Sequence, residues 1–221
     1  MTSPAVEDYL KAIFQLSDDG KPVSTSAIAD RLGIAAGSVT GMLKRLADQG
    51  LVEHVRYHGT SLTPEGNRTA VRMIRRHRII EAFLVEILGY SWDRVHDEAE
   101  RLEHAASEEL IDRIAHILGQ PDADPHGAPI PAPHGTFHDT QYPTLADLPA
   151  GRSAILRRVH DEDPDVLRFL ATLNLVPGAR LIVLEQQPFN GPLTIRIDDH
   201  TQILGRDLAR SIQVEPVKEK A

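Results

Sequence analysis

AAGSVTGMLKRLADQGLVEHVRYHGTSLTPEG, residues 35–66, joins a helical pattern that ends at a glycine to two short alternating runs around Gly59. The first part predicts a helix from about Ala36 to Gln49, and the second part predicts a β-hairpin. Upstream, PAVEDYLKAIFQLS and STSAIADRLG each have the apolar spacing of a helix, and Gly33 ends the second of them. Helix, short helix, turn, helix and hairpin in this order predict a winged helix-turn-helix over residues 1–64.

The third helix and the hairpin of such a domain are the elements that meet DNA. The helix enters the major groove, and small or hydroxyl-bearing residues at its start allow close approach and hydrogen bonds to phosphates or base edges. The same arrangement also occurs in domains that bind only protein, so both interpretations stay open at this point. If DNA is the partner, the predicted contacts are Ala36, Gly37, Ser38, Thr40, Lys44 and Arg45 on the helix and Arg56, Tyr57 and His58 on the hairpin.

Charge is distributed unevenly along the 221 residues, whose net charge is −8. Residues 1–80 carry 11 Lys and Arg against 8 Asp and Glu, whereas the remainder carries 13 against 24. Only the surface that meets phosphate has to be basic, so the acidic total does not argue against a nucleic-acid partner. No run approaches the roughly 18 apolar residues of a membrane span, and the N-terminus lacks a signal-peptide pattern. We therefore expect a cytoplasmic protein without a membrane partner.

The rest of the chain predicts a helical domain, a linker and a β module. A long helix is expected from Thr63 to Leu88, followed by two helices with a break near Ser107, which gives a helical domain over 65–120. Proline and glycine are frequent in QPDADPHGAPIPAPHG, so 121–144 is assigned as a linker. Short β-like runs separated by PG and NG turns then predict a small β-barrel or sandwich over 145–217. The predicted fold is mainly α with a β module.

The segment HDEAERLEH, residues 96–104, carries acids and histidines on one helix face. At about 100° per residue, His96, Glu100, Glu103 and His104 share a stripe. Glu98 is excluded because Arg94 and Arg101 are its surface partners. His77 and Glu81 likewise share a face of the preceding helix, and Asp8 lies among the inward residues of the first helix.

Carboxylates that meet at the edge of a core repel each other and lose hydration, and a divalent cation offsets both effects. The chain has no cysteine, so oxygen and imidazole nitrogen must supply the ligands, which suits Mn²⁺ and, less well, Fe²⁺. Two other interpretations remain open from the residues alone. The helices could form a carboxylate and histidine metalloenzyme, or the acids could be surface groups of a winged-helix sensor for a small organic ligand.

Four motifs, VEDYL, RRHRIIEAFL, WDRVHDEAERLEH and DPHGAPIP, resemble those of the diphtheria-toxin-repressor family in its long, three-domain form. The resemblance covers nearly the whole chain. It implies a winged helix, a metal-binding and dimerisation domain, and a C-terminal SH3-like (FeoA-type) β-barrel. It also implies a homodimeric, metal-dependent repressor of metal-uptake genes that binds a palindromic DNA operator and is not an enzyme.

The resemblance implies a primary metal site formed by Asp8, Glu100, Glu103 and His104. Iron-responsive members have methionine and cysteine at the positions of Asp8 and Glu100, so two carboxylates here imply Mn²⁺, with Fe²⁺ as the alternative and Co²⁺, Cd²⁺ or Zn²⁺ as substitutes in vitro. Lys11 stands where a short manganese-responsive type has a further glutamate, which argues against a closely spaced two-metal cluster.

The resemblance also implies a secondary site. Its ligands correspond to His77, Glu81, Asp124, His126 and Asp161. Asp163 is an alternative to Asp161 because the register of this segment is not fixed by the motif. His96 corresponds to an ancillary ligand of the iron-responsive members.

Overall fold

The computed structural model describes residues 3–17, 20–55, 58–133, 137, 140–160 and 163–217. The chain divides into two compact units, which are described separately below. The first unit comprises Met1–His77, Glu103–Ala106 and Pro131–Phe137, and the second comprises Arg78–Leu102, Ser107–Ile130 and His138–Ala221.

The first unit contains the predicted winged helix-turn-helix. Its elements are α1 (Pro4–Leu16), α2 (Thr25–Leu32), α3 (Ala36–Asp48), β1 (Val52–Val55) and β2 (Gly59–Leu62), with β1 and β2 antiparallel. Ser24 caps α2 by accepting a hydrogen bond from the Ala27 amide at 3.1 Å, and Gly33 ends it with a left-handed φ of 64°. The apolar stripes of the three helices form one core, which includes the fully buried Leu10, Ile28 and Leu43.

The hairpin is joined closely to the helix that follows it, α4 (Pro64–Glu86). The Thr63 hydroxyl accepts from the Gly66 amide at 3.1 Å and donates to the Gly50 carbonyl at 2.8 Å. A Cβ at Gly66 would lie 2.0 Å from the Leu51 carbonyl oxygen. Only glycine therefore allows the start of α4 to pack on the backbone that leads into β1.

Two further helices, α5 (Val95–Glu103) and α6 (Glu108–Ile117), follow α4. The predicted break between them is present, because Ser107 caps α6 by accepting from the Leu110 amide at 3.2 Å. Apolar residues at helical spacing are buried on α5 and α6, among them Val95, Ala99 and Ile111.

The C-terminal module is an antiparallel sheet with helices at its margins. Its elements are a 3₁₀ turn (Leu145–Asp147), β3 (Ser153–Val159), α7 (Pro164–Thr172), β4 (Arg180–Gln186), β5 (Leu193–Ile197), β6 (His200–Leu204), α8 (Arg206–Arg210) and β7 (Ile212–Pro216). The five strands are ordered β6-β5-β4-β3-β7. Alternate residues of the strands, such as Leu156, Val183 and Ile195, form its core, and Trp92 packs against that core from outside the module.

The SH3-like module is thus present, but among the described residues its sheet is open and not a closed barrel. The chain crosses from β6 through α8 to β7, which pairs with β3 at the opposite edge. Register shifts on β3 between Leu156 and Arg158, and on β4 between Val183 and Glu185, bend the sheet without joining its edges.

Within the described part of the chain, no helix is long and apolar enough to cross a membrane.

Candidate metal centres and DNA-binding face

The first group of potential metal ligands, called here the first cluster, consists of Asp8, Glu103 and His104. One donor atom from each lies within 4.8 Å of the others. His104 Nε2 is 2.9 Å from Asp8 Oδ1 and 3.8 Å from Glu103 Oε1. Asp8 comes from α1, whereas Glu103 ends α5 and His104 follows it. Two segments far apart in sequence therefore bring two carboxylates and one imidazole together.

The orientation of His104 is fixed by Glu7, the neighbour of Asp8 on α1. His104 Nδ1 lies 2.8 Å from Glu7 Oε2, and because a carboxylate only accepts, Nδ1 is the donor. Nε2 is then the nitrogen that faces Asp8 and Glu103. Histidines that bind metals usually donate their second ring N–H in this way, to a carboxylate or a carbonyl.

Glu103 is fully buried and has close partners besides the other members of the cluster. The Lys11 ammonium, also on α1, lies 3.0 Å from each of its carboxylate oxygens. His77 Nδ1 lies 2.5 Å from Glu103 Oε2 and 3.2 Å from Lys11 Nζ. Since the carboxylate can only accept, the imidazole donates to Glu103. His77 and Lys11 are themselves almost fully buried.

The second group, called here the second cluster, consists of Glu81, Asp124 and His126, with donor atoms again within 4.8 Å of one another. His126 Nδ1 is 3.9 Å from Glu81 Oε2 and 4.0 Å from Asp124 Oδ1. Glu81 projects from α4, and the other two residues belong to the segment that follows α6. Glu81 is 2% exposed and Asp124 8%, so two carboxylates share a largely dehydrated site.

A tight turn holds Asp124. Its Oδ1 accepts from the amides of His126 at 2.8 Å and Ala128 at 2.9 Å, while Oδ2 is 3.6 Å from Arg78 Nε. Burial, followed by the negative charge of Glu81, raises the pKa of the Asp124 carboxyl despite the opposing effects of Arg78 and His126. A divalent cation between these carboxylates would relieve both causes of the shift.

His126 is held by contacts of both its ring and its backbone. Its Nε2 donates to the Trp92 carbonyl at 2.8 Å, and its ring stacks on the Trp92 indole with centroids 5.5 Å apart. This hydrogen bond leaves Nδ1 facing Glu81 and Asp124. The His126 carbonyl accepts from the Val159 amide of β3 at 2.9 Å. The loop that carries Asp124 and His126 is therefore attached to the C-terminal module.

Gly127 allows the loop backbone to lie directly against the backbone of β3. A Cβ at this position would lie 1.8 Å from the Arg157 carbonyl oxygen, and its φ is +86°. Both the contact and the backbone conformation therefore require glycine.

The remaining predicted ligands have different positions. Glu100 is not a member of the first cluster, and its Oε1 lies 3.9 Å from His96 Nε2. His96 Nδ1 lies 3.4 Å from Glu81 Oε1, beside the second cluster. His77 contacts Glu103 of the first cluster, although it was predicted for the secondary site. Asp163 caps α7 by accepting from the Asp165 amide at 2.8 Å. Asp161 lies outside the described residues.

The predicted DNA-binding face of α3 is open. Ala36, Gly37, Ser38, Thr40, Lys44 and Arg45 are all exposed, whereas Val39, Leu43 and Leu46 of the same helix are buried. Gly41 is also exposed, and a Cβ added there or at Gly37 would meet no atom within 4 Å beyond the backbone of its own helix. His58 is exposed in the hairpin turn, and Arg56 and Tyr57 lie outside the described residues.

Several contributors to these sites have no distinctive signal in the sequence. Glu7 and Lys11 are four residues apart on α1 and are typical of a surface ion pair, yet Glu7 contacts the partly buried His104 and Lys11 the fully buried Glu103. The Trp92 carbonyl is a backbone group, so no residue type identifies it. Gly41 lies in the quoted segment, and its spacing of four residues from Gly37 on the exposed face is a signal that could have revealed it.

A winged helix-turn-helix with an open third helix, combined with two clusters of acids and histidine that each include a buried carboxylate, is typical of metal-dependent DNA-binding regulators. Family models agree over most of the chain. The N-terminal DNA-binding domain of iron-dependent repressors matches residues 1–60, and their metal-binding and dimerisation domain matches residues 63–132. The FeoA domain matches residues 144–216.

Individual relatives extend this agreement to 96% of the chain. The iron-dependent repressor IdeR of Mycobacterium tuberculosis is 32% identical over 224 residues, which cover 96% of each protein. The diphtheria toxin repressor of Corynebacterium diphtheriae is 34% identical over 96% of this chain and 83% of that protein. A solved manganese-dependent transcriptional repressor in complex with manganese is 40% identical over 96% of this chain and 100% of that chain, with a TM-score of 0.88.

The chain therefore belongs to the diphtheria-toxin-repressor family. It is a metal-dependent, DNA-binding transcriptional repressor and not an enzyme. The predicted family, three-part fold and general function are confirmed, and the metalloenzyme interpretation is set aside.

Proposed function

We propose that this repressor responds to Mn²⁺ and binds a palindromic operator as a homodimer. The observation that carries the choice of metal is the first cluster itself, in which the Asp8 carboxylate lies 2.9 Å from His104 Nε2 beside the buried Glu103. Carboxylate oxygen with one imidazole is a hard donor set that suits Mn²⁺ and gives Fe²⁺ no sulfur ligand. The 40% identity to a repressor solved with manganese supports the same choice.

Asp8, Glu103 and His104 would hold the regulatory ion, and Glu100 completes this set in our proposal. Glu81, Asp124 and His126 would hold a second ion, with His96, His77 and Asp161 as further predicted ligands. Bound metal would supply positive charge to carboxylates that lie close together and that, at Glu81, Glu103 and Asp124, are buried. Co²⁺, Cd²⁺, Zn²⁺ and Fe²⁺ share this chemistry in part, so we expect them to substitute in vitro.

Two properties of α1 connect the first cluster to DNA binding. Its polar face carries Asp8, and its apolar face, including Leu10 and Ile13, packs in the core that also contains Val39 and Leu43 of α3. Metal held by Asp8, Glu103 and His104 fixes α1 to the segment after α5. The winged helix is thereby fixed as well, and by linkage the DNA-bound form binds metal more tightly than the free form.

A homodimer places two α3 helices on two half-sites, which must be about one helical turn apart. Exposed apolar side chains support dimerisation within residues 65–120. The exposed fractions are 51% for Ile87, 55% for Leu88, 49% for Leu110 and 64% for Ile117.

The proposed domains are the winged helix over 1–64, the metal-binding and dimerisation domain over 65–120, the linker over 121–144 and the SH3-like module over 145–217. In the cytoplasm, such a dimer would repress metal-uptake genes when the metal is abundant.

Gly37 and Gly41 support direct reading of DNA by α3. Glycine inside a helix costs about 1 kcal/mol relative to alanine. Nothing in the described structure would contact a Cβ at either position, so packing within the chain does not require glycine there. Close approach of α3 to the major groove, in contrast, does require small residues at these positions.

The experiment is a titration of operator binding with Mn²⁺, Fe²⁺, Co²⁺ and Zn²⁺, using a duplex selected from a random library by the Mn²⁺-loaded protein. Fluorescence anisotropy of the duplex gives the metal concentration at half-saturation for each ion. We expect Mn²⁺ to promote binding in the wild type, and the Asp8→Met, Glu100→Cys double variant to shift the response toward Fe²⁺.

The matched control is the Asp97→Met, Glu98→Cys double variant, which makes the same replacements at two acidic residues of α5 that belong to neither cluster. It should respond like the wild type. Equal operator affinity in chelator and in Mn²⁺ would overturn the proposed function. An unchanged metal preference in the first double variant would overturn the ligand assignment.

A further inference from the structure

Lys11 is a buried cation in direct contact with a member of the first cluster. Its side chain is 7% exposed, and its ammonium lies 3.0 Å from both oxygens of Glu103, whose side chain is fully buried. His77 Nδ1 lies 3.2 Å from the ammonium, but its proton is donated to Glu103. The Glu103 carboxylate therefore accepts from both the ammonium and the imidazole in the first unit.

Burying an ammonium and a carboxylate is costly unless the two charges are paired. The pair that they form stabilises the metal-free cluster, because Glu103 has a counter-charge without any bound ion. However, Glu103 Oε1 also lies 3.8 Å from His104 Nε2 and belongs to the donor set with Asp8. The same carboxylate therefore serves two cations, the fixed ammonium and the metal ion.

We propose that Lys11 is a positioning residue that acts as an internal counter-ion, competing with Mn²⁺ for Glu103 and so raising the metal concentration at which the repressor responds. This inference rests on the proposed role of the first cluster as the Mn²⁺ site. A metal ion bound there must share Glu103 with a neighbouring positive charge. That repulsion is present only in the loaded state, so Lys11 favours the empty state over the loaded one.

A purely structural role for Lys11 predicts the opposite sign. If the ammonium only holds Glu103 in the geometry that the metal needs, its removal should loosen the cluster and weaken metal binding. Both roles predict lower thermal stability of the metal-free protein, so stability alone does not separate them. The Mn²⁺ affinity separates them, because competition predicts that the affinity rises.

The test measures Mn²⁺ binding by isothermal titration calorimetry on the full chain. His126→Ala is present in every sample, so that the second cluster lacks its imidazole and the first cluster dominates the signal. Lys11→Met removes the charge and keeps much of the side-chain volume, and Lys11→Arg keeps the charge. Lys21→Met is the matched control, since it makes the same replacement at an exposed lysine of the same unit.

We expect Lys11→Met to bind Mn²⁺ at least tenfold more tightly than the parent, with a lower Tm in chelator and a larger Mn²⁺-induced rise in Tm. Lys11→Arg and Lys21→Met should both retain the parental affinity. In a Glu103→Gln background, Lys11→Met should give no gain over Glu103→Gln alone, because the carboxylate in competition is then absent. Should Lys11→Met fail to fold in chelator, the smaller perturbation Lys11→Gln is measured and must show the same gain.

Equal or weaker Mn²⁺ binding by the folded Lys11→Met or Lys11→Gln variant overturns the role of Lys11 while leaving the proposed metal site intact. Absence of Mn²⁺ binding in the parent, measured in the same experiment, overturns the metal site and the inference together. The two failures are therefore distinguishable.

Discussion

The two clusters contain similar groups but are built differently. In the first, side chains hold other side chains: Glu7 positions His104, and Lys11 lies against Glu103. In the second, backbone groups do most of the positioning: the Trp92 carbonyl holds His126, and the His126 and Ala128 amides hold Asp124. Side-chain contacts can reorganise when a metal binds or leaves, whereas a backbone turn has little freedom to do so.

This difference suggests a division of roles. The first cluster includes α1, whose other face forms part of the winged-helix core, so its occupancy can change DNA binding. The second cluster joins α4 to a loop that is bonded to β3, so its occupancy can stabilise the attachment of the C-terminal module. We expect the first cluster to control the response and the second to strengthen it.

The largest expected effect comes from removing a carboxylate charge from the first cluster, compared with the same change in the second. Asp8→Asn in the first cluster should weaken Mn²⁺-dependent operator binding on the order of 100-fold, since loss of a ligand should equal or exceed loss of an outer-shell partner. Glu81→Gln in the second should weaken it about tenfold or less. Both are measured by anisotropy at fixed Mn²⁺ concentration.

Asp97→Asn, at an exposed site on α5, is the control for the same change in net charge and should have no effect. If Glu81→Gln abolished the response while Asp8→Asn left it intact, the roles assigned to the two clusters would be reversed.

Local sequence patterns predicted the elements of the fold because each depends on neighbours. The caps at Ser24 and Ser107, the glycine stop at Gly33 and the apolar stripes of α1 to α3 are all short-range features. The open edges of the C-terminal sheet were not predicted, since strand order depends on pairings between distant segments.

The candidate sites were predicted less completely, for the same physical reason. Helix periodicity placed Glu103 and His104 together and put Asp8 among the inward residues of the first helix. The resemblance to the family then assigned Asp8 to the same site and added the Asp124 and His126 pair. The contacts of Lys11 with Glu103 and of Glu7 with His104 span 92 and 97 residues, so no local pattern contains them. The second cluster is held by backbone carbonyl and amide groups. Nearly every residue type has these groups, so the sequence does not identify which of them take part.

The next effect tests whether the backbone determines the second cluster. Gly127→Ala would place a Cβ 1.8 Å from the Arg157 carbonyl oxygen at a φ of +86°. We expect a loss of about 2 kcal/mol or more in stability and a weaker second metal site, with the first site unchanged. Differential scanning calorimetry and Mn²⁺ calorimetry measure the two quantities.

Gly151→Ala is the matched control, because its φ is +83° but nothing lies within 4 Å of the added Cβ. It should cost about 1 kcal/mol through backbone strain alone and leave both metal sites unchanged. Equal effects of the two substitutions would show that close packing at Gly127 does not hold the loop.

A smaller effect is expected at the side chain that positions His104. Glu7→Gln keeps the shape of the residue but weakens the hydrogen bond from His104 Nδ1, which is 2.8 Å long in the wild type. Mn²⁺ affinity of the first cluster should fall about tenfold, with little change in the Tm of the metal-free protein. Titration calorimetry provides the affinity, and Glu98→Gln on α5 serves as the surface control. An unchanged Mn²⁺ affinity would mean that the hydrogen bond to Glu7 is not required to position His104.

The smallest effect concerns an ion pair that joins the C-terminal module to the segment beside Trp92. Arg168 of α7 lies 2.9 Å from Asp93, which is 8% exposed. Burial acts to raise the pKa of the Asp93 carboxyl, but the hydrogen bond from Arg168 and other bonds outweigh it, so the pKa lies below its ordinary value. The ionised form is therefore favoured by folding, and its contribution to stability is complete above the ordinary value of about 3.9 and is lost as the pH falls below it toward the folded pKa.

Asp93→Asn removes the charge, so it should lower the Tm by about 1–3 °C at pH 7 and pH 5, because Arg168 is half-exposed and solvent screens the pair. The difference from the wild type should then shrink between pH 4 and pH 3, as the wild-type carboxyl also loses its charge. Thermal unfolding followed by circular dichroism in chelator excludes any contribution from bound metal. A difference that grew on acidification would contradict the assignment of the lowered pKa to this ion pair.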